Sequence, residues 1–215
     1  MKITFIGDVH GKFNQYAKLI KDKENTVQVG DMGMGFPSVL GGHYDWSHVA
    51  SPPHKKMVEG NHRFIRGNHD NPVFCKRHSQ WIPDGTKETI DGVKIMYVGG
   101  AWSIDWAYRQ EGISAWKDEE LSMAEFDKII GDYDEFRPDI MVTHDFPLSV
   151  MHKTFLEGTH KPVFTTRTGQ ALDGMFSIHK PKLWVGGHWH TRAIKEIDGT
   201  TFIVLEELGM LEMTI

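Results

Sequence analysis

The chain has 215 residues, 40% hydrophobic and 25% charged, a balance that fits a soluble globular protein and excludes a disordered one. Its formal net charge of −5 supplies no general pull toward nucleic acid, and no apolar run reaches the about 20 residues needed to span a bilayer. The single cysteine, Cys75, excludes an internal disulfide and points to a reducing cytoplasm, while Met1–Ile6 enters a strand at once without a signal-peptide layout.

In chain order, Ile3–Gly7 is a short apolar run closing on Gly-Asp and predicts a buried strand. Phe13–Lys21 sets Phe13, Tyr16, Ala17 and Ile20 at helical spacing. Thr26–Gly30 is a second strand that again ends in Gly-Asp, so the chain opens with a strand–helix–strand unit and a parallel crossover. Phe36–Pro53, rich in Gly, Pro and His, predicts a loop over one end of the sheet. Phe64–Arg66 is a brief strand and Val93–Val98 a clear one. Leu121–Ile130 predicts an amphipathic helix with Asp118, Glu119 and Glu120 at its positive end. Ile140–Thr143 predicts a strand ending at His144, Ala171–Ile178 a helix and Leu183–Val185 a strand. Arg192–Ile197 and Thr200–Leu205 flank Asp198-Gly199, a strong hairpin signal. With no repeat, low-complexity tract or linker, the expectation is one α/β domain over residues 1–215, built on a mixed sheet or on two packed sheets between helices.

The chemistry concentrates where predicted strands end. Gly7-Asp8-Val9-His10-Gly11, Gly30-Asp31-Met32-Gly33, Gly67-Asn68-His69-Asp70, Thr143-His144-Asp145 and Gly186-Gly187-His188-Trp189-His190 all carry metal-ligand residue types. Any one of them alone is an ordinary turn or a satisfied polar residue; five together point to metal. Asp8, Asp31, His144 and His188 fall one to three residues past predicted strands, and a parallel layout brings such ends to one edge. Asp8 and His10, like His188 and His190, are two apart and can grip one ion from the same side of an extended loop. Carboxylate, amide and imidazole donors without thiolate suit manganese, iron, zinc or nickel. Two ions about 3.5–4 Å apart need a bridging ligand, for which a carboxylate is best suited, and such a pair generates hydroxide near neutral pH and steadies phosphoryl oxygens. The pattern therefore points to hydrolysis of a phosphate ester.

The same motifs, in this order from Gly7 to His190, resemble those of the calcineurin-like metallophosphoesterases. The resemblance implies a two-sheet β-sandwich flanked by helices, four layers α/β/β/α, with a dimetal centre at strand C-terminal ends. It implies Asp8, His10 and His190 as ligands of one ion, Asn68, His144 and His188 as ligands of the other, and Asp31 as the bridge. It also implies that His69 protonates the leaving-group oxygen, a task an imidazole suits, with support of the ligand shell as the alternative role. The expected cofactors are two divalent ions, manganese first, with iron, zinc or nickel as alternatives. The expected reaction is in-line attack by metal-bound hydroxide on a small phosphomonoester, phosphodiester or nucleotide.

One departure matters. The Ser/Thr protein phosphatase branch reads GD-x-x-D-R-G at the second motif, whereas Met34 and Gly35 stand here where that branch has Asp and Arg. The usual partner of His69 and one phosphate clamp are therefore missing. The segment Gly99–Arg109, with Ala101, Trp102, Ser103, Asp105 and Trp106 inside it, looks like one seen in bacterial and phage members of the superfamily, and it continues to Trp116. Ser103, Asp105 and Arg109 should lie near the metal edge, and Arg109 is the candidate replacement clamp because a guanidinium matches phosphate in a bidentate way; the alternative is a solvated Arg109 paired with Asp105. Arg63, Arg66 and Arg167 are weaker clamp candidates. Trp102, Trp106 and Trp116 are either a substrate wall or core packing. His43, His48, His54 and His62 lie in or near the predicted loop and could shape the site entrance. Two competing readings are a nuclease of the same fold, disfavoured by the net charge, and a noncatalytic metal-binding scaffold, disfavoured because every ligand position is filled.

Overall fold

The computed structural model describes residues 1–152 and 164–215. Among these, one sheet runs β12 (Met210–Thr214), β1 (Lys2–Ile6), β2 (Thr26–Val29), β5 (His62–Ile65), parallel except for β12. The other runs β10 (Ala193–Ile197), β11 (Thr200–Val204), β9 (Leu183–Gly186), β8 (Ile140–Thr143), β7 (Val93–Val98), β6 (Lys87–Ile90), with a parallel centre and antiparallel edges.

The two-residue period of a strand sorts these side chains into layers. Ile3 and Phe5 of β1, Val27 and Val29 of β2, Tyr97 of β7, Val142 of β8 and Val185 of β9 share one buried cluster between the sheets. Their neighbours point the other way. Ile6 and Phe64 pack outward with Tyr16 and Ile20 from the α1 region (helix Phe13–Leu19), with Met57 of α2 (His54–Glu59) and with Cys75 of α3 (Pro72–Arg77). Met96, Met141, Trp184 and Phe202 pack outward with Phe126, Ile129 and Tyr133 of α4 (Met123–Phe136) and, past the short α5 (Leu148–Val150), with Leu172 and Met175 of α6 (Arg167–Ile178). The result is helix, sheet, sheet, helix, the layering the resemblance implies, with two packed sheets rather than one mixed sheet.

Local expectations fare unevenly. Asp198-Gly199 closes the β10–β11 hairpin with φ of 50° and 81°, as a primed two-residue turn requires. Asp91-Gly92, with φ of 49° and 84°, closes β6–β7 by the same chemistry, a signal the sequence carried as plainly. Phe36–Pro53 is not a plain loop. It forms the hairpin β3 (Pro37–Leu40) and β4 (His43–Val49) around Gly41-Gly42, whose φ values are both positive. The predicted Leu121–Ile130 helix starts instead at Ser122, which accepts from the Glu125 N–H while Glu125 reaches back to the Ser122 N–H. Asp118, Glu119 and Glu120 therefore precede the helix, and Glu119 and Glu120 turn inward to buried positions. No helix among the described residues is long and apolar enough to cross a membrane.

Candidate metal centre

Strands β1, β2, β5, β8 and β9 deliver their five motif loops to one edge. The first two loops are zipped together, with the Val9 and His10 N–H groups donating to the Asp31 carbonyl at 2.9 Å each and Gly11 N–H to Met32 O at 2.9 Å. Asp70, fully buried, gathers the N–H groups of Met32, Gly33, Met34 and Gly67 at 2.8–3.1 Å and so ties the second loop to the third. Burial, then the nearby Asp31, pushes its carboxyl above the ordinary range against the pull of those donors. Sequence reasoning missed Asp70; the signal was an acid closing the third motif with no place in the ligand set.

Every candidate ligand arrives. Asp8 Oδ2 lies 3.0 Å from His190 Nε2 and 3.6 Å from His10 Nε2, while His10 and His190 face each other at 2.9 Å. Asn68 Oδ1 lies 3.0 Å from both His144 Nε2 and His188 Nδ1. Asp31 stands between the groups, Oδ2 at 3.7 Å from His10 Nε2 and Oδ1 at 3.3 Å from His144 Nε2. Asp8, His10, Asp31 and His190 form one convergent set and Asp31, His144 and His188 another, each with ligand atoms within 4.8 Å of one another.

The backbone is bent to achieve this. His10, Asp31, His188 and His190 have φ of 47°, 57°, 66° and 50°, a region that costs a non-glycine residue about 1–3 kcal/mol and clusters at functional sites. A Cβ on Gly187 would sit inside the Asp8 carboxylate, so only glycine lets the fifth loop pass over the first. The His144 Nδ1–H donates to Val29 O at 2.9 Å, which turns Nε2 toward the cluster.

Electrostatics match the geometry. Burial pushes the Asp8 carboxyl up, but hydrogen bonds with His10 and His190 outweigh it and hold the group below the carboxylate range. Asp31 is also buried, and His144, His69 and His10 together hold it well below that range. Burial opposes a charge on His144, yet Asp31 and then Asp8 raise it to about 10. Two buried carboxylates demand compensating cations. The donors fit that demand: ligands bound at about 2.0–2.1 Å from one ion sit about 3 Å apart, the spacing seen between these atoms. Asp8, His10, Asp31 and His190 could hold one divalent ion, and Asp31, Asn68, His144 and His188 a second.

A cleft of about 400 Å³ opens beside this cluster, lined by His69, Ile104, Asp105, Arg109 and Trp189 among others. The His69 N–H donates to Asp31 Oδ1 at 2.7 Å, and its Nε2 accepts from the Arg109 guanidinium. Burial first, then Arg109, brings His69 down to about 4 despite Asp31. Arg109 also pairs with Asp105 at 2.7 Å, but it is only 10% exposed and so is not a solvated surface cation. Met34 is buried and offers His69 no carboxylate; the ring's partner at Nε2 is the Arg109 guanidinium.

The weaker clamp candidates do not reach the cluster. Arg63 is committed to Glu88, Arg66 is buried on Asp84, and Arg167 lies beside Glu120. Trp116 packs edge-on against Phe36 and Trp102 against Phe164, with ring centroids at 5.2 and 5.0 Å, which is packing rather than a stacking platform. His43 and His48 lie on the β3–β4 hairpin, His54 meets His78 edge-on, and His62 is buried against Thr26.

The family model of the calcineurin-like phosphoesterases matches residues 1–192. No curated protein matches the chain. Among solved structures it is similar to TT1561 of Thermus thermophilus, at 13% identity over 97% of this chain and 90% of that one, with a TM-score of 0.54. It is also similar to a Staphylococcus aureus protein assigned as a 5′-nucleotidase and solved with α-ketoglutarate, at 13% identity over 99% of this chain and 50% of that one, with a TM-score of 0.56. At such identities the likeness is one of fold.

Proposed function

This chain belongs to the calcineurin-like phosphoesterases, and on that premise we propose that it is a dinuclear-metal phosphoesterase acting on small phosphomonoesters, phosphodiesters or nucleotides. The observation that carries this reading is the division of Asp31, one oxygen toward His10 and the other toward His144, between two ligand sets. Two divalent ions bound there would supply Lewis acidity and acidify water enough to ionise it near neutral pH; the oxygen and nitrogen donors, free of thiolate, suit manganese, taken first, and equally iron, zinc or nickel.

The chain's own residues do the rest. Asp31 fixes the spacing of the two sets. Arg109, held by Asp105 at the cleft, presents a planar fork to phosphoryl oxygens and in doing so gives up its contact with His69 Nε2. Freed of that contact, the His69 imidazole takes up a proton from solvent at Nε2 and passes it to the departing oxygen. The buried free thiol of Cys75 supports a reducing, cytoplasmic setting.

Asp31→Asn keeps the shape of the bridge and removes its charge. Turnover of an aryl phosphate with added Mn²⁺ should fall to background while the melting curve stays cooperative. Retained turnover would sink the bridging assignment.

A further inference from the structure

A buried hydrogen-bond chain leads away from Asn68. Its Nδ2 donates to Ser103 Oγ at 2.9 Å, Ser103 Oγ donates to Glu119 Oε2 at 2.8 Å, and the Ser103 N–H donates to Glu119 Oε1 at 2.7 Å. Asn68, Ser103 and Glu119 are 2%, 1% and 3% exposed. A buried carboxylate is costly to keep, and burial pushes Glu119 up to about 7 while the two Ser103 donors draw it down.

The chain solves a specific problem. A carboxamide has two ends of nearly equal shape, and only the oxygen can face a cation. A serine hydroxyl alone does not choose between them, because it can donate or accept. Both Ser103 donors point at Glu119 oxygens, an arrangement built for the ionised acid, which can only accept. It takes the single hydroxyl proton of Ser103, which leaves lone pairs for Asn68 and so selects its N–H end. The opposite end, Oδ1, is thereby turned to His144 and His188.

The backbone is shaped around the same contacts. Arg66 donates to the carbonyls of Asp118 and Glu119 at 2.7 and 2.9 Å, and the Gly100 N–H donates to Arg66 O at 2.8 Å. A Cβ on Gly100 would collide with the Glu119 carbonyl, so glycine there lets the segment slip between Arg66 and Glu119 and deliver Ser103.

We propose that Ser103 and Glu119 are positioning residues that lock the Asn68 carboxamide with its oxygen toward the cation shared with His144 and His188, and so set the affinity of that one site. This rests on the reading of Asn68 as a metal ligand given above.

The test is calorimetric titration of Mn²⁺ alone into the metal-free full chain and its variants. Wild type should take up two ions; uptake of none or one overturns the dimetal reading itself, independently of the relay. Ser103→Ala and Glu119→Gln should weaken one ion about 10- to 100-fold and leave the other unchanged. In an Asn68→Ala background, Ser103→Ala should cause no further loss, since its effect passes through Asn68. Excess Mn²⁺ should restore turnover of Ser103→Ala. Ser103→Cys, close in volume but a weak acceptor, gives the same readout should the alanine chain fail to fold. The relay is overturned if Ser103→Ala and Ser103→Cys bind both ions as wild type does. It is equally overturned if the loss from Ser103→Ala persists undiminished in the Asn68→Ala background.

Discussion

Arg109 is the residue whose role changes most on seeing the structure. Sequence offered a clamp or a surface ion pair; the structure shows the Asp105 pair but also a guanidinium buried against His69 beside the metal-ligand cluster. If it grips phosphate, Arg109→Ala should lower kcat/KM about 10- to 100-fold, since a hydrogen bond to a charged group contributes about 1.5–3 kcal/mol. Arg109→Lys should recover only part of that, because an ammonium lacks the fork. Unchanged kinetics for the alanine variant would remove Arg109 from the mechanism. At this scale the residues that converge were legible because each sits beside a strand end in its own motif. Asp70 and Glu119 were not. Asp70 acts through Met32 and Met34, 38 and 36 residues away, and Glu119 through Ser103, 16 residues away, which no local pattern announces.

Elements were legible where one local rule dominated. The β1–α1–β2 opening and the Asp198-Gly199 hairpin follow from periodicity and turn chemistry alone. The acids before α4 misled because a helix N-terminus and a buried acceptor attract the same residue type, and only packing tells them apart. The layer outside the first sheet carries a pH response. Burial lowers His62, and burial followed by His54 lowers His78 to about 4. An unfolded histidine titrates near 6.5, so the unfolded chain binds more protons between about 6.5 and 4 and stability falls as pH drops through that window. The urea midpoint should decline from pH 7 to pH 4, and His78→Gln should flatten part of the decline. An identical pH profile for the variant would show that His78 titrates without linkage to folding.

At the scale of the whole molecule, the ligand cluster is drawn from both halves of the sandwich. Asp8, His10, Asp31 and Asn68 follow strands of one sheet, whereas His144, His188 and His190 follow strands of the other. Ions bound there would brace one sheet against the other, and an ion present at 100 times its dissociation constant adds about 2.7 kcal/mol. Stripping metal with a chelator should therefore lower Tm by about 5–10 °C, because 1 kcal/mol shifts a chain of this size by about 2–4 °C. A Tm indifferent to chelation and to added Mn²⁺ would argue that no ion braces the fold. The pairing of β12 with β1, the last strand with the first, could not be read from local sequence, since only the closed sheet brings them together.

The same split dictates when the donor set can be complete. Neither half carries a complete set of donors, so a nascent chain with one sheet formed grips no ion in this way. On the proposed function, full coordination waits until the sheets meet, when His190 joins Asp8, His10 and Asp31, and His144 and His188 join Asn68.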